Sequence, residues 1–150
     1  MSNNIKIDQK DLTRLRQKLN KLSLLDSKVL SNELGAAGLD IARIAKKKAP
    51  TMKSKSGGGT LGQSIRSEKQ GKSVEVIAGA KYAPYVEFGT GGFVNFEDML
   101  ELGIPKSYAA QFKGKSDGFM KPQPFFFGSA RIGLKKLLNR LKIQIKKAIK

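Results

Sequence analysis

The sequence predicts an α+β fold: helices at both ends, a small antiparallel sheet between them, a long inserted loop and a basic amphipathic helix at the C-terminus. Three observations carry this. Leucine and isoleucine recur at three- and four-residue spacing in the first fifty residues and again in the last twenty, the period of a helix face. Two short stretches, "LGQSIRS" and "SVEVIAGA", read as strands on either side of a turn at Gly71 near the middle of the chain, as in a β-hairpin. The chain has 150 residues, of which 39% are hydrophobic, enough for one domain with a modest core.

The elements follow in order. Residues 1–50 are expected to be helical. Asp8 is a natural N-cap for a first helix, and Leu12, Leu15, Leu19 and Leu22 line one of its faces. Asp26 would cap a second helix, with Leu30, Leu34, Ala37, Ile41 and Ile44 on one face. Pro50 ends it, because the residue before a proline disfavours helical geometry. Residues 51–60 read as a flexible basic loop, with glycine and serine that have nothing to pack. Strands are expected over 61–67 and 73–80, joined by a turn centred on Gly71, with Val74, Val76 and Ala78 on one face; together with a further turn they fill 61–90. Residues 91–121 hold scattered aromatics without clear periodicity. Read as a loop, this segment is far longer than the usual connection of about 4–6 residues, and it is expected to be mobile or ordered by a partner. Within 122–150, "PQPFFF" is extended because its prolines bias their neighbours to β or polyproline geometry. A helix follows from about Ser129, its expected N-cap. Leu134, Leu138, Leu141, Ile145 and Ile149 form its stripe, expected against the core.

Composition narrows the chemistry. There is no cysteine and no histidine. Disulfides, thiolate zinc sites, thiol nucleophiles and a Ser-His-Asp triad are therefore excluded. The formal net charge is +17, from 29 basic and 12 acidic residues, which favours acidic partners: nucleic acid, an anionic membrane or acidic protein surfaces. Most of the excess lies in the terminal helices. The amino terminus lacks the apolar core of a secretory signal, and no apolar run approaches the ~20 residues of a spanning helix. The expected location is a cytoplasm, or something assembled there.

Motif by motif, catalysis finds little support. "SGGGTLGQS" lacks the lysine of a phosphate loop, and "GTGGFVN" lacks both lysine and hydroxyl. Both read as turn glycines. Glu97, Asp98 and Glu101 cluster, but without further ligands they read as a solvated acidic turn or a patch that meets basic groups on a neighbour. "FGSAR" lacks the Gly-x-Ser-x-Gly frame of a nucleophile elbow. The basic C-terminal helix could lie on a partner or on phosphates, with Lys135, Lys136, Arg140, Lys146 and Lys147 as contacts to DNA or an acidic partner. Nonspecific nucleic-acid binding through the terminal helices is thus the alternative to a structural role.

The stretch "YAPYVEFGT", residues 82–90, sets Glu87 among apolar neighbours. Such a carboxylate is paired or accepts backbone N–H bonds, either clamping the turn at Gly89 or bridging to another subunit. The order of "AKKKAP" (45–50), "GGTLGQSI" (58–65), "YAPYVEFGT" (82–90) and "PQPFFFGSAR" (122–131) resembles the tail-completion family of tailed bacteriophages and prophages, also called head–tail joining or neck proteins. The resemblance covers roughly residues 30–135. It implies an α+β subunit of a ring, expected to be a hexamer, in the virion neck, with the host cytoplasm as the place before assembly. It implies no enzymatic activity, cofactor, metal or small-molecule substrate. It implies other neck or tail proteins as partners, DNA crossing the joint, and no membrane. Tyr82, Tyr85, Glu87, Phe88, Gly89 and Thr90 would form an interface or packing element with Pro122, Pro124 and Phe125. Loop 91–121 would bridge to a neighbouring subunit.

Overall fold

A computed structural model describes residues 9–24, 28–51, 59–114 and 120–149. The expected caps Asp8 and Asp26 and most of the basic loop lie outside them. The order is α1 (Gln9–Leu24), α2 (Leu30–Lys48), α3 (Thr60–Ser64), β1 (Ile65–Gln70), β2 (Ser73–Ala78), α4 (Ala83–Phe88), a 3-10 turn at Gly91–Phe93, α5 (Phe96–Glu101), α6 (Lys106–Lys113) and α7 (Phe127–Ile149). The α+β expectation holds.

The hairpin turns at Gly71, whose φ of 58° suits the tight connection. Its register pairs Ile65 with Ala78 and Gln70 with Ser73. One sheet face lies on α2, where Gly38 sits so close to Ser67 and Val74 that a Cβ would collide with both. Residues 61–64, expected as the start of the first strand, are helical instead, within α3. Gln63 N–H donates to the Gly59 carbonyl at 2.9 Å and the Ser64 hydroxyl to that of Leu61 at 2.7 Å. This turn drives Leu61 into the core, at 2% exposure.

Two apolar clusters form. The larger joins Ala42, Ala45 and Ala49 of the α2 end to Leu61, Ile65, Ala83 and Phe125. The second lies inside the segment expected as a loop: Val94, Met99, Ala109 and Phe112, with Phe88, Phe96 and Ile104 against them. The loop expectation is therefore corrected for the described residues 91–114. Of the aromatics that lacked periodicity, Phe93 lies in the 3-10 turn, Phe96 in α5, and Tyr108 and Phe112 in α6, and Phe88 packs against this cluster; Phe119 lies outside the described residues. Asn95 caps α5 by accepting from Glu97 N–H at 3.0 Å.

Helix α7 packs on α2 and also meets α1, but not by its leucine stripe. The buried face is Ser129, Gly133 and Leu137. Gly133 lies directly on Ile41, closer than any Cβ would permit. Leu134 and Leu138 are 51% and 57% exposed, so the expected burial of the stripe is corrected. Two features select the observed rotation. The small α2 face (Ala37, Gly38, Ile41, Ala42) admits close approach at a glycine. Arg140 then reaches back to α2, to Glu33 at 2.7 Å and Asp40 at 2.9 Å.

Candidate assembly surface

The "YAPYVEFGT" stretch folds as the short helix α4, with Pro84 in its first turn and Gly89 beyond its end at φ 74°. Proline suits that position because the N–H it lacks has no helical partner there. Glu87 is 6% exposed. Its Oε2 accepts from Phe125 N–H at 2.7 Å and Phe126 N–H at 2.8 Å, and its Oε1 from Phe127 N–H at 3.0 Å. Phe127 opens α7 and the other two donors lead into it; the first N–H groups of a helix have no partner within it and carry the positive end of its dipole. Glu87 is thus the distant N-cap of α7. Acceptance of backbone N–H bonds was expected, and the observed bonds go to Phe125, Phe126 and Phe127, not to the turn at Gly89. Ser129 is not the cap. It lies inside the first turn, fully buried, and donates to the Phe125 carbonyl.

The extended 120–126 segment runs beside α4. Gln123 N–H donates to the Val86 carbonyl at 2.8 Å. Thr90 N–H donates to the Met120 carbonyl at 2.9 Å, and Met120 N–H to the Thr90 hydroxyl at 2.8 Å. These two bonds tie together the ends of the inserted segment. A Cβ on Gly89 would stand 2.6 Å from the Met120 carbonyl oxygen and 2.9 Å from Pro122, so glycine is needed for both its φ and its space. Phe125 fills the main core. Pro122 and Pro124 are exposed.

Aromatic rings connect these parts. Phe112 stacks 5.0 Å from Tyr85, 5.8 Å from Phe88 and 5.3 Å from Tyr108, and Phe88 lies 5.6 Å from Phe127. Tyr82 and Tyr85 keep outer faces open to solvent at 46% and 41% exposure. An apolar groove of about 480 Å³ runs between β2 and this cluster, lined by Ile77, Pro84, Phe88, Ile104, Tyr108 and Phe126 among others. A second cleft, of about 520 Å³, is lined by Asp98, Glu101 and Arg131 among others. Among the described residues no group of histidine, cysteine or carboxylate side chains could hold a metal.

Lys135, Lys136, Lys146 and Lys147 stand exposed along α7. Arg140 does not join them. Its guanidinium is bound to Glu33 and Asp40 within the chain. The sequence signal for this latch was faint: two acids seven residues apart on α2 share a face, but their cation lies a hundred residues away.

A family model described as "Bacteriophage HK97-gp10, putative tail-component" matches residues 13–89. The chain belongs to this family. It is thus a relative of bacteriophage tail components, which are structural parts of the virion. The match ends at Gly89, the residue after α4, so the inserted segment and α7 lie beyond it. No curated protein and no solved structure matches the chain. No described helix is long and apolar enough to cross a membrane.

Proposed function

We propose that this tail-component relative is a tail-completion, or head–tail joining, subunit, one of six copies in a ring at the neck of the particle. It acts by packing against its own copies and other neck and tail proteins while DNA passes the joint, and it makes or breaks no bond. The observation that carries the reading is how much apolar surface the folded chain leaves uncovered. Fourteen large apolar side chains among the described residues are at least 40% exposed. Every described side chain of the 16-residue helix α1 is exposed, including Leu12, Leu15 and Leu19. A helix of that length has little stability of its own in water, and contiguous apolar surface on a soluble chain marks a contact. Light scattering on the purified chain tests the ring: a mass of six copies at raised concentration supports it, and a monomer at every concentration opposes it.

The exposed lysines of α7 favour a second reading, nonspecific nucleic-acid binding. A salt titration of filter binding separates the two. Tight binding at low salt that falls steeply as salt rises is the mark of phosphate neutralisation; weak binding throughout favours the neck subunit.

A further inference from the structure

We infer that copies of this chain join head to tail, with the acidic helix α5 of one copy lying on the leucine stripe and lysines of α7 in the next. The inference rests on the ring reading above and names the two surfaces that build it.

The receiving surface is defined by what α7 leaves open. Leu134, Leu138 and Ile145 are 51%, 57% and 44% exposed along one line of the helix. Lys135, Lys142 and Lys146 border that line on its solvent side at helical spacing and are exposed. None of the three makes an ion pair among the described residues. The helix carries seven basic residues and no acidic one. A two-fold contact of α7 on α7 would set cation against cation, which opposes binding. Whatever covers the stripe must bring carboxylates.

Among the described residues, one stretch brings several carboxylates together. Glu33 and Asp40 are bound to Arg140, Glu68 to Arg66, and Glu87 to the start of α7. Glu97, Asp98 and Glu101 of α5 are exposed, and none is in an ion pair among the described residues. Leu100, 46% exposed, lies between them. Glu97 and Asp98 suit the first turn of their own helix. Glu101 does not: it stands in the last turn, where the helix dipole disfavours a negative charge. The helix dipole therefore gives Glu101 no support; Arg131 lines the same cleft within the chain, and a facing lysine of the next copy would add to it. Contact between two different surfaces is heterologous, and such contacts close into rings when the rotation per copy permits.

Charge reversal tests the pairing. Three chains are compared by light scattering at low and high salt: E97K/D98K/E101K, K135E/K142E/K146E, and the chain carrying all six changes. All six positions are exposed, so each chain should keep the wild-type circular dichroism; E97K/D98K/E101K is expected to melt slightly lower, because Glu97 and Asp98 suit the first turn of α5. Each single-surface reversal is expected to weaken assembly at least about tenfold. The six-fold reversal restores it. So does an equal mixture of the two single-surface chains, because alternating copies then meet in opposite charge at every contact. If the wild type assembles and both reversals assemble equally well, the contact lies elsewhere and the inference is wrong while the ring stands. If folded reversals fail and neither the six-fold chain nor the mixture recovers, α5 does not face α7. A wild type that stays monomeric removes both the ring and this contact.

Discussion

Replacing Glu87 by glutamine probes the bond between the family-matched part of the chain and the helix that follows it. Glutamine keeps the size of glutamate but offers one acceptor oxygen. With that oxygen at the Oε2 position, the bonds to Phe125 and Phe126 N–H survive, and the amide NH2 is set against Phe127 N–H, now 3.0 Å from Oε1. One bond to a charged acceptor is lost, worth about 1.5–3 kcal/mol. The favourable charge at the helix start is lost as well, up to ~2 kcal/mol in a partly buried setting. Relief of the carboxylate's desolvation offsets part of this. The net expectation is about 3 kcal/mol of destabilisation. For a chain of this length each kcal/mol moves Tm by roughly 2–4 °C, so a fall of roughly 6–12 °C is expected. Thermal and urea unfolding followed by circular dichroism measure it, with Glu87→Ala as the companion, expected to lose more because all three donors are orphaned. A glutamine variant that melts with the wild type would show that α7 does not depend on this carboxylate.

Other consequences are equally direct. Arg140→Ala strips the partner from Glu33 and leaves Asp40 with Arg43 alone; these side chains are only 16% and 18% exposed, and the change should cost about 1–3 kcal/mol, lessened because Arg140 Nη2 is itself buried without a hydrogen-bond partner among the described residues. Lys136→Ala, a few residues away, should leave unfolding within about 0.5 kcal/mol of wild type, which separates latch from surface charge. The Asp40 carboxyl is held below its ordinary 3.8, chiefly by the hydrogen bond from Arg140. Its contribution is therefore present above pH 3.8 and lost as pH falls through the lower folded value. Urea midpoints across the acid range should show this dependence shrinking in Asp40→Asn, and an unchanged profile would remove Asp40 as its source. Gly89→Ala meets both a left-handed φ and the Met120 carbonyl; a fall of about 1–3 kcal/mol is expected by urea unfolding, and a neutral result would mean that the 120–122 strand segment can move away.

Much of the architecture was legible along the chain because its signals are local. The two N-terminal helices, the hairpin at Gly71 and the extended proline segment rest on period, turn chemistry and the fixed φ of proline, none of which needs a distant partner. The motif order that resembles tail-completion proteins is likewise a property of the string, and the family match over 13–89 agrees with it. The inserted segment was illegible for the opposite reason. Helices of six and eight residues are too short to show a period, and Val94, Met99, Ala109 and Phe112 declare themselves a core only when Phe88 is beside them.

The sequence by itself determined that α7 is a helix, that it is basic, and that one of its lines is leucine-rich. It also determined that a carboxylate at position 87, in apolar company, must find donors. Only the tertiary structure decided which line of α7 turns inward. The leucines offer more apolar area, yet Ser129, Gly133 and Leu137 are buried in their place, because close approach at Gly133 and the reach of Arg140 to two acids on α2 can be satisfied together in one rotation. Periodicity gives the angle between residues on a helix; the zero of that angle is set by the neighbour.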